Sequence, residues 1–156
     1  MSRVQLALNV SNLEEAVGFY SKLFATEPAK VRPGYANFAV ADPPLKLVLI
    51  ESAEQVPGSI NHLGIEVETA EAVVAAQSRL AATDLATRLE EQVVCCYSLQ
   101  DKVWVDGPGG EPWEIYAVLA DAELTADGRY AAEPAGAECC GAGAGATATS
   151  PACACC

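Results

Sequence analysis

The chain repeats itself, and no other feature narrows the fold as much. A shift of 57 residues lays "NVSNLEEAVGFYSKLFATE" over "EVETAEAVVAAQSRLAATD". Val10 falls on Val67, Val17 on Val74, Ser21 on Ser78, Lys22 on Arg79, Leu23 on Leu80, Ala25 on Ala82 and Thr26 on Thr83. The identities are sparse, but they preserve one local pattern, which marks a duplicated module.

Each copy opens with alternating residues that read as a strand, "VQLALNV" in the first and "HLGIEV" in the second. A helix follows. Leu13, Ala16, Val17, Tyr20 and Leu23 form one apolar face in the first copy, with Ser11 and Glu14 as a capping box. The second helix spans about 69–82, with Val73, Gln77 and Leu80 on one face. Three strands are then expected in each copy: 29–32, 35–40 and 45–51, and 87–97, 102–105 and 113–119. "RPGY" and "DGPGG" mark turns between strands. The fold class is α+β, built from two β-α-β-β-β modules at about 1–57 and 58–119.

Composition changes beyond residue 119. From 131 to 156 there is no Leu, Ile, Val, Phe, Tyr or Trp, only Ala/Gly-rich sequence such as "CGAGAGATATSPACACC". Such a segment buries too little apolar surface to offset its ordering entropy, so 120–156 is expected to be a disordered tail. The net charge of −12 argues against nucleic acid and anionic membrane surfaces as partners. No apolar run reaches the length of a membrane span, and the acidic start carries no signal-peptide pattern, so a cytoplasmic location is expected. In that compartment seven cysteines point to redox or soft-metal chemistry rather than a disulfide framework.

Three segments carry a closer likeness: the first helix with the strands after it, "NHLGIEV", and "CCYSLQDKVWVDGPGGEPWEIY". Together they resemble the cadmium-induced (CadI-type) branch of the vicinal-oxygen-chelate superfamily, which includes glyoxalases, extradiol dioxygenases and antibiotic-resistance proteins, and the related organoarsenical carbon–arsenic lyases. The resemblance covers residues 1–119 and implies a curved mixed sheet with a metal on its concave face. The ligand positions it implies are Gln5, His62 and Glu114. The repeat independently places Gln5 on His62. The lyases look like Fe(II) enzymes with two histidines and one carboxylate, whereas His62 is the only histidine here. Gln5 offers a neutral amide, so a weak or vestigial site for Fe(II) or another divalent metal is expected. The superfamily assembles within one chain or across a dimer, so a homodimer is allowed.

Cys95 and Cys96 are adjacent. On a regular strand they would face opposite sides, so joint action needs a kink or a strand end. The polar "SLQDK" is read as the loop that supplies it, with Lys102 in that loop beside the thiols. Two thiolates chelate soft ions such as Cd(II), Zn(II) or trivalent arsenic. In the lyases the equivalent pair looks like the site that holds a trivalent organoarsenical. The tail adds Cys139, Cys140, Cys153, Cys155 and Cys156, a thiolate-dense spacing without zinc-finger geometry. From sequence alone, a soft-metal-binding protein of the metal-stress response is the first reading. An Fe(II)-dependent dioxygenase cleaving a carbon–arsenic bond is the second, and a glyoxalase-like or antibiotic-modifying enzyme the third.

Overall fold

A computed structural model of the chain describes residues 2–124 and 130–132. The elements run β1 (Arg3–Val10), α1 (Leu13–Phe24), β2 (Lys30–Arg32), β3 (Tyr35–Val40), β4 (Leu45–Glu51), β5 (Ile60–Glu66), α2 (Ala70–Ala81), β6 (Arg88–Cys95), β7 (Ser98–Asp106), β8 (Pro112–Leu124) and β9 (Tyr130–Ala132). This is β-α-β-β-β used twice, with a short last strand paired to the end of β8. β8 continues past residue 119, where the composition changes. The five tail cysteines lie outside the described residues.

The strands form one curled mixed sheet in the order β2-β3-β4-β1-β5-β8-β7-β6. The first strands of the two modules, β1 and β5, meet antiparallel at its centre. Gln5 pairs with Gly64, and Ala7 with His62. The 57-residue shift carries each pair into the other, so the repeat appears here as a local two-fold. Each central strand has a parallel neighbour, β4 beside β1 and β8 beside β5.

Period-2 alternation divides the residues between two faces. On the outer face α1 covers Leu6, Leu8, Phe38, Leu47 and Leu49, and α2 buries Val73 and Leu80 against Val103, Ile115 and Ala117. Burying these side chains removes about 1.5–3 kcal/mol of unfavourable hydration for each large one. The other face of β1, β5, β7 and β8 carries polar side chains into the hollow of the sheet.

Three local expectations change. Asn12, not Ser11, caps α1, its Oδ1 accepting from the Glu15 amide at 2.9 Å. Leu23 is exposed, and Phe24 turns inward instead, stacking on Tyr20. Residues 98–101 form strand rather than loop, paired to β8. Ser98, Gln100 and Lys102 are buried although polar. Gln100 and Lys102 line a polar cavity, a pattern that imitates a loop in hydropathy alone.

Candidate functional site

Gln5, His62 and Glu114 come from three adjacent strands, β1, β5 and β8, and meet in the hollow. Register explains the meeting: Gly64 pairs with Gln5 on one side and with Glu114 on the other. A Cβ at Gly64 would stand 3.2 Å from Gln5 Cβ, Gln5 Nε2 and Glu114 Cγ. The glycine is the gap through which the two side chains converge. Gln5 and Glu114 are each only 3% exposed. Gln5 Nε2 lies 3.0 Å from His62 Nε2 and donates to Glu114 Oε1 at 2.7 Å, while His62 Nε2 stands 3.3 Å from that same oxygen.

The neighbours set the charges. Lys102, expected in a solvated loop, projects from β7 into the cavity, is 2% exposed and donates to Glu114 Oε2 at 3.0 Å. Burial alone would raise the Glu114 pKa, but its contacts with His62 and with the Lys102 ammonium hold it down at about 2. Burial likewise disfavours charge on Lys102, yet Glu114 and then the Cys95 sulfur outweigh it and raise its pKa. Its ammonium also lies 5.3 Å from the centre of the Trp104 ring, whose edge contacts His62.

The thiols sit at a tight turn. Cys95 pairs with Ser98 across the β6–β7 hairpin, leaving Cys96 and Tyr97 as a two-residue connection. Both have positive φ, 55° and 63°. Positive φ at both central positions is the signature of a type I′ turn, usually built from Asn and Gly. The strand thus ends at Cys95, and the turn, not a following loop, brings the sulfurs 3.1 Å apart. Left-handed backbone costs each non-glycine residue roughly 1–2 kcal/mol. Packing of Tyr97 offsets that cost. It is buried against Tyr35, donates its hydroxyl to the Pro33 carbonyl at 3.2 Å, and its own carbonyl accepts from the Ala122 amide at 3.0 Å.

Both groups face one cavity of about 190 Å³, lined by Gln5, His62, Cys95, Cys96, Lys102 and Glu114 among others. Tyr35, Val48, Ile50, Trp104 and Pro112 supply its apolar wall. Among the described residues no three His, Cys, Asp or Glu side chains cluster; the third member of the His62–Glu114 group is an amide.

The donor chemistry suits a hard or borderline divalent ion. His62 Nδ1 lies 2.7 Å from Asn61 Oδ1, while Asn61 Nδ2 donates to Asn9 Oδ1. The proton therefore sits on Nδ1, and Nε2 offers its lone pair. Glu114 is ionised. Gln5 supplies an oxygen once its amide is turned end for end, an interchange of nearly identical atoms. The residues fit such a metal.

Several site residues escaped the sequence reading. Trp104 and Lys46 line the cavity, Gly64 lies against Gln5 and Glu114, and Tyr116 links Gln5 to Glu66. The available signal was the alternation Glu114–Tyr116 on a strand and the register partners of Gln5. Glu66 pairs with Arg3 at 3.0 Å and with Lys46 at 3.0 Å.

A family model for the glyoxalase/bleomycin resistance protein/dioxygenase superfamily matches residues 3–115. The chain belongs to that superfamily. The trivalent organoarsenical cleaving enzyme of Thermomonospora curvata is 56% identical over 151 residues, which span 90% of this chain and 100% of the relative. The cadmium-induced protein CadI of Mycobacterium tuberculosis is 59% identical over 128 residues, 82% of this chain and 84% of the relative. Among solved structures, the 2,3-dioxygenase LapB of Pseudomonas sp. KL28 matches with a TM-score of 0.58 at 21% identity, over 74% of this chain and 40% of the dioxygenase. That last likeness is one of fold. In this superfamily member the second module supplies His62, Glu114, Lys102 and both thiols, and the first supplies Gln5. No helix among the described residues is long and apolar enough to cross a membrane.

Proposed function

We propose that the protein is an oxygen-dependent enzyme that cleaves the carbon–arsenic bond of trivalent organoarsenicals. One observation carries this reading: a soft pair of thiols and a hard donor group open into the same cavity. A protein that only sequesters soft ions has no use for the second group. The thiols of Cys95 and Cys96 condense with two As–OH groups, forming two As–S bonds and releasing two waters. The apolar wall of Tyr35, Val48, Ile50 and Trp104 receives the organic group. Gln5, His62 and Glu114 would hold a divalent metal, Fe(II) for this chemistry, which supplies dioxygen activation. Lys102 neutralises Glu114 and keeps a positive charge near the sulfurs, favouring thiolate. For methylarsenite, one molecule of substrate and one of dioxygen balance to one arsenite and one formaldehyde; carbon is oxidised and dioxygen reduced. The full-length likeness to an enzyme of that name supports the reading.

The test is arsenite release from methylarsenite by reduced protein loaded anaerobically with Fe(II) and then exposed to air. Turnover that disappears in His62→Ala supports it. Tight methylarsenite binding with no arsenite release contradicts it.

A second reading, soft-metal binding in metal stress, is favoured by the five tail cysteines and by the likeness to a cadmium-induced protein. It requires a stoichiometric Cd(II) complex with sulfur neighbours. Cadmium K-edge absorption showing oxygen and nitrogen only would remove it. Residence in the cytoplasm belongs to both readings.

A further inference from the structure

Tyr116 follows Glu114 by two residues on β8 and is fully buried. Its hydroxyl lies 2.5 Å from Gln5 Oε1 and 2.9 Å from Glu66 Oε2. One phenol carries one proton and can donate to only one of these oxygens at a time. The two choices impose opposite orientations on the Gln5 amide. When the proton points at Gln5 Oε1, the Gln5 amine faces the cavity and its two N–H groups cross-link His62 Nε2 and Glu114 Oε1. The lone pairs a cation would use are then taken. When the proton points at Glu66, the phenol oxygen is left to accept from Gln5 Nε2. The amide turns end for end, and Oε1 joins His62 Nε2 and Glu114 Oε1. Three acceptors then converge, an arrangement that is stable only around a cation. Glu66 is prepared for its part: Arg3 and Lys46 keep it a carboxylate, the stronger acceptor for a phenol.

We propose that Tyr116, backed by Glu66, is a positioning residue that turns Gln5 into a metal donor, its O–H swinging from Gln5 to Glu66 as a divalent cation enters. The inference rests on the reading of Gln5, His62 and Glu114 as a metal position. It makes glutamine a suitable third ligand, because an amide can lock the group without a cation and ligate with one. The substrate thiols take no part in the relay.

Mn(II) tests it, being a hard ion that favours oxygen and imidazole over thiolate. Titration of the reduced full-length chain, followed by loss of the free-ion EPR signal, reads the affinity directly. Tyr116→Phe should weaken Mn(II) binding about tenfold or more, the usual effect of losing a partner of a ligand. Glu66→Gln should weaken it as well, because an amide oxygen held by Lys46 and Arg3 is a poorer acceptor for the phenol than the carboxylate, and the proton stays on Gln5. In a Gln5→Ala background Tyr116→Phe should have no further effect, since the phenol acts through Gln5. A merely structural role would lower affinity by the same factor in both backgrounds. If His62→Ala abolishes Mn(II) binding but Tyr116→Phe and Glu66→Gln bind like the parent, or the loss is equal in both backgrounds, the relay is overturned. If the parent binds no Mn(II), or His62→Ala leaves binding unchanged, the metal reading itself falls and takes the relay with it.

Discussion

The two modules place a two-residue turn at the same point, between their second and third strands, and build it from opposite materials. In the first module Pro33 and Gly34 connect β2 to β3, with φ of 72° on the glycine. Proline then glycine is the common solution, with positive φ where no side chain objects. In the second module Cys96 and Tyr97 hold positive φ with full side chains. The two turns touch, through the Tyr97 hydroxyl on the Pro33 carbonyl. A duplicated fold solved one problem cheaply and then left the same problem strained where two sulfurs had to converge. Backbone strain of this kind persists only where surrounding structure enforces it, and it concentrates at functional sites.

The comparison breaks most visibly at the thiols. Cys95→Ser with Cys96→Ser should reduce methylarsenite affinity about a thousandfold, since both arms of the chelate are lost. Pro33→Ala in the matching turn should leave it unchanged. Isothermal titration of a form lacking the tail cysteines measures both.

A second contrast sets Lys102 against Lys46, the buried lysine that the first module's last strand contributes to the inner face, which is 9% exposed and pairs with Glu66. Lys102→Met strands a buried carboxylate and should cost about 3 kcal/mol in urea unfolding of metal-free protein at pH 7. Lys46→Met should cost less, because Arg3 still neutralises Glu66. The pH profile carries the same signature. The folded-state pKa of Glu114 lies below its ordinary 4.5, at about 2. Its stabilisation is therefore complete above about 4.5 and lost as pH falls toward 2. Lys102→Met removes one cause of that depression and should move the acid limb to higher pH.

Mirror substitutions in the two turns sharpen the comparison further. Gly34→Ala places a Cβ at positive φ and should destabilise by about 1 kcal/mol. Cys96→Gly relieves the same conformation and should stabilise by up to about 1 kcal/mol, while losing one thiol. Thermal unfolding of the pair should show opposite signs. Tyr97→Phe, which cuts the contact between the turns, should cost least, about 0.5–1 kcal/mol.

Much of this was legible beforehand, for a physical reason. The first module's strands at 35–40 and 45–51 were readable because they alternate or run apolar between clear turns. The repeat placed both helices and superposed Gln5 on His62. What escaped was hidden by the cavity. Gln100 and Lys102 are polar because they face a polar hollow, so hydropathy read this stretch as loop and misplaced both the turn and Lys102. Gly64, Glu66 and Tyr116 matter only through register across strands, which no local pattern reports. The I′ turn was invisible because neither Cys96 nor Tyr97 is a turn-forming residue.

The central claim is that soft and hard donors serve one ligand. Carbon-13-labelled methylarsenite, bound to reduced protein whose five tail cysteines are changed to serine, tests it by NMR in the presence of Mn(II). The account predicts that the methyl resonance broadens strongly in the parent and sharpens again in His62→Ala. A methyl signal that stays sharp while Mn(II) is bound would contradict it.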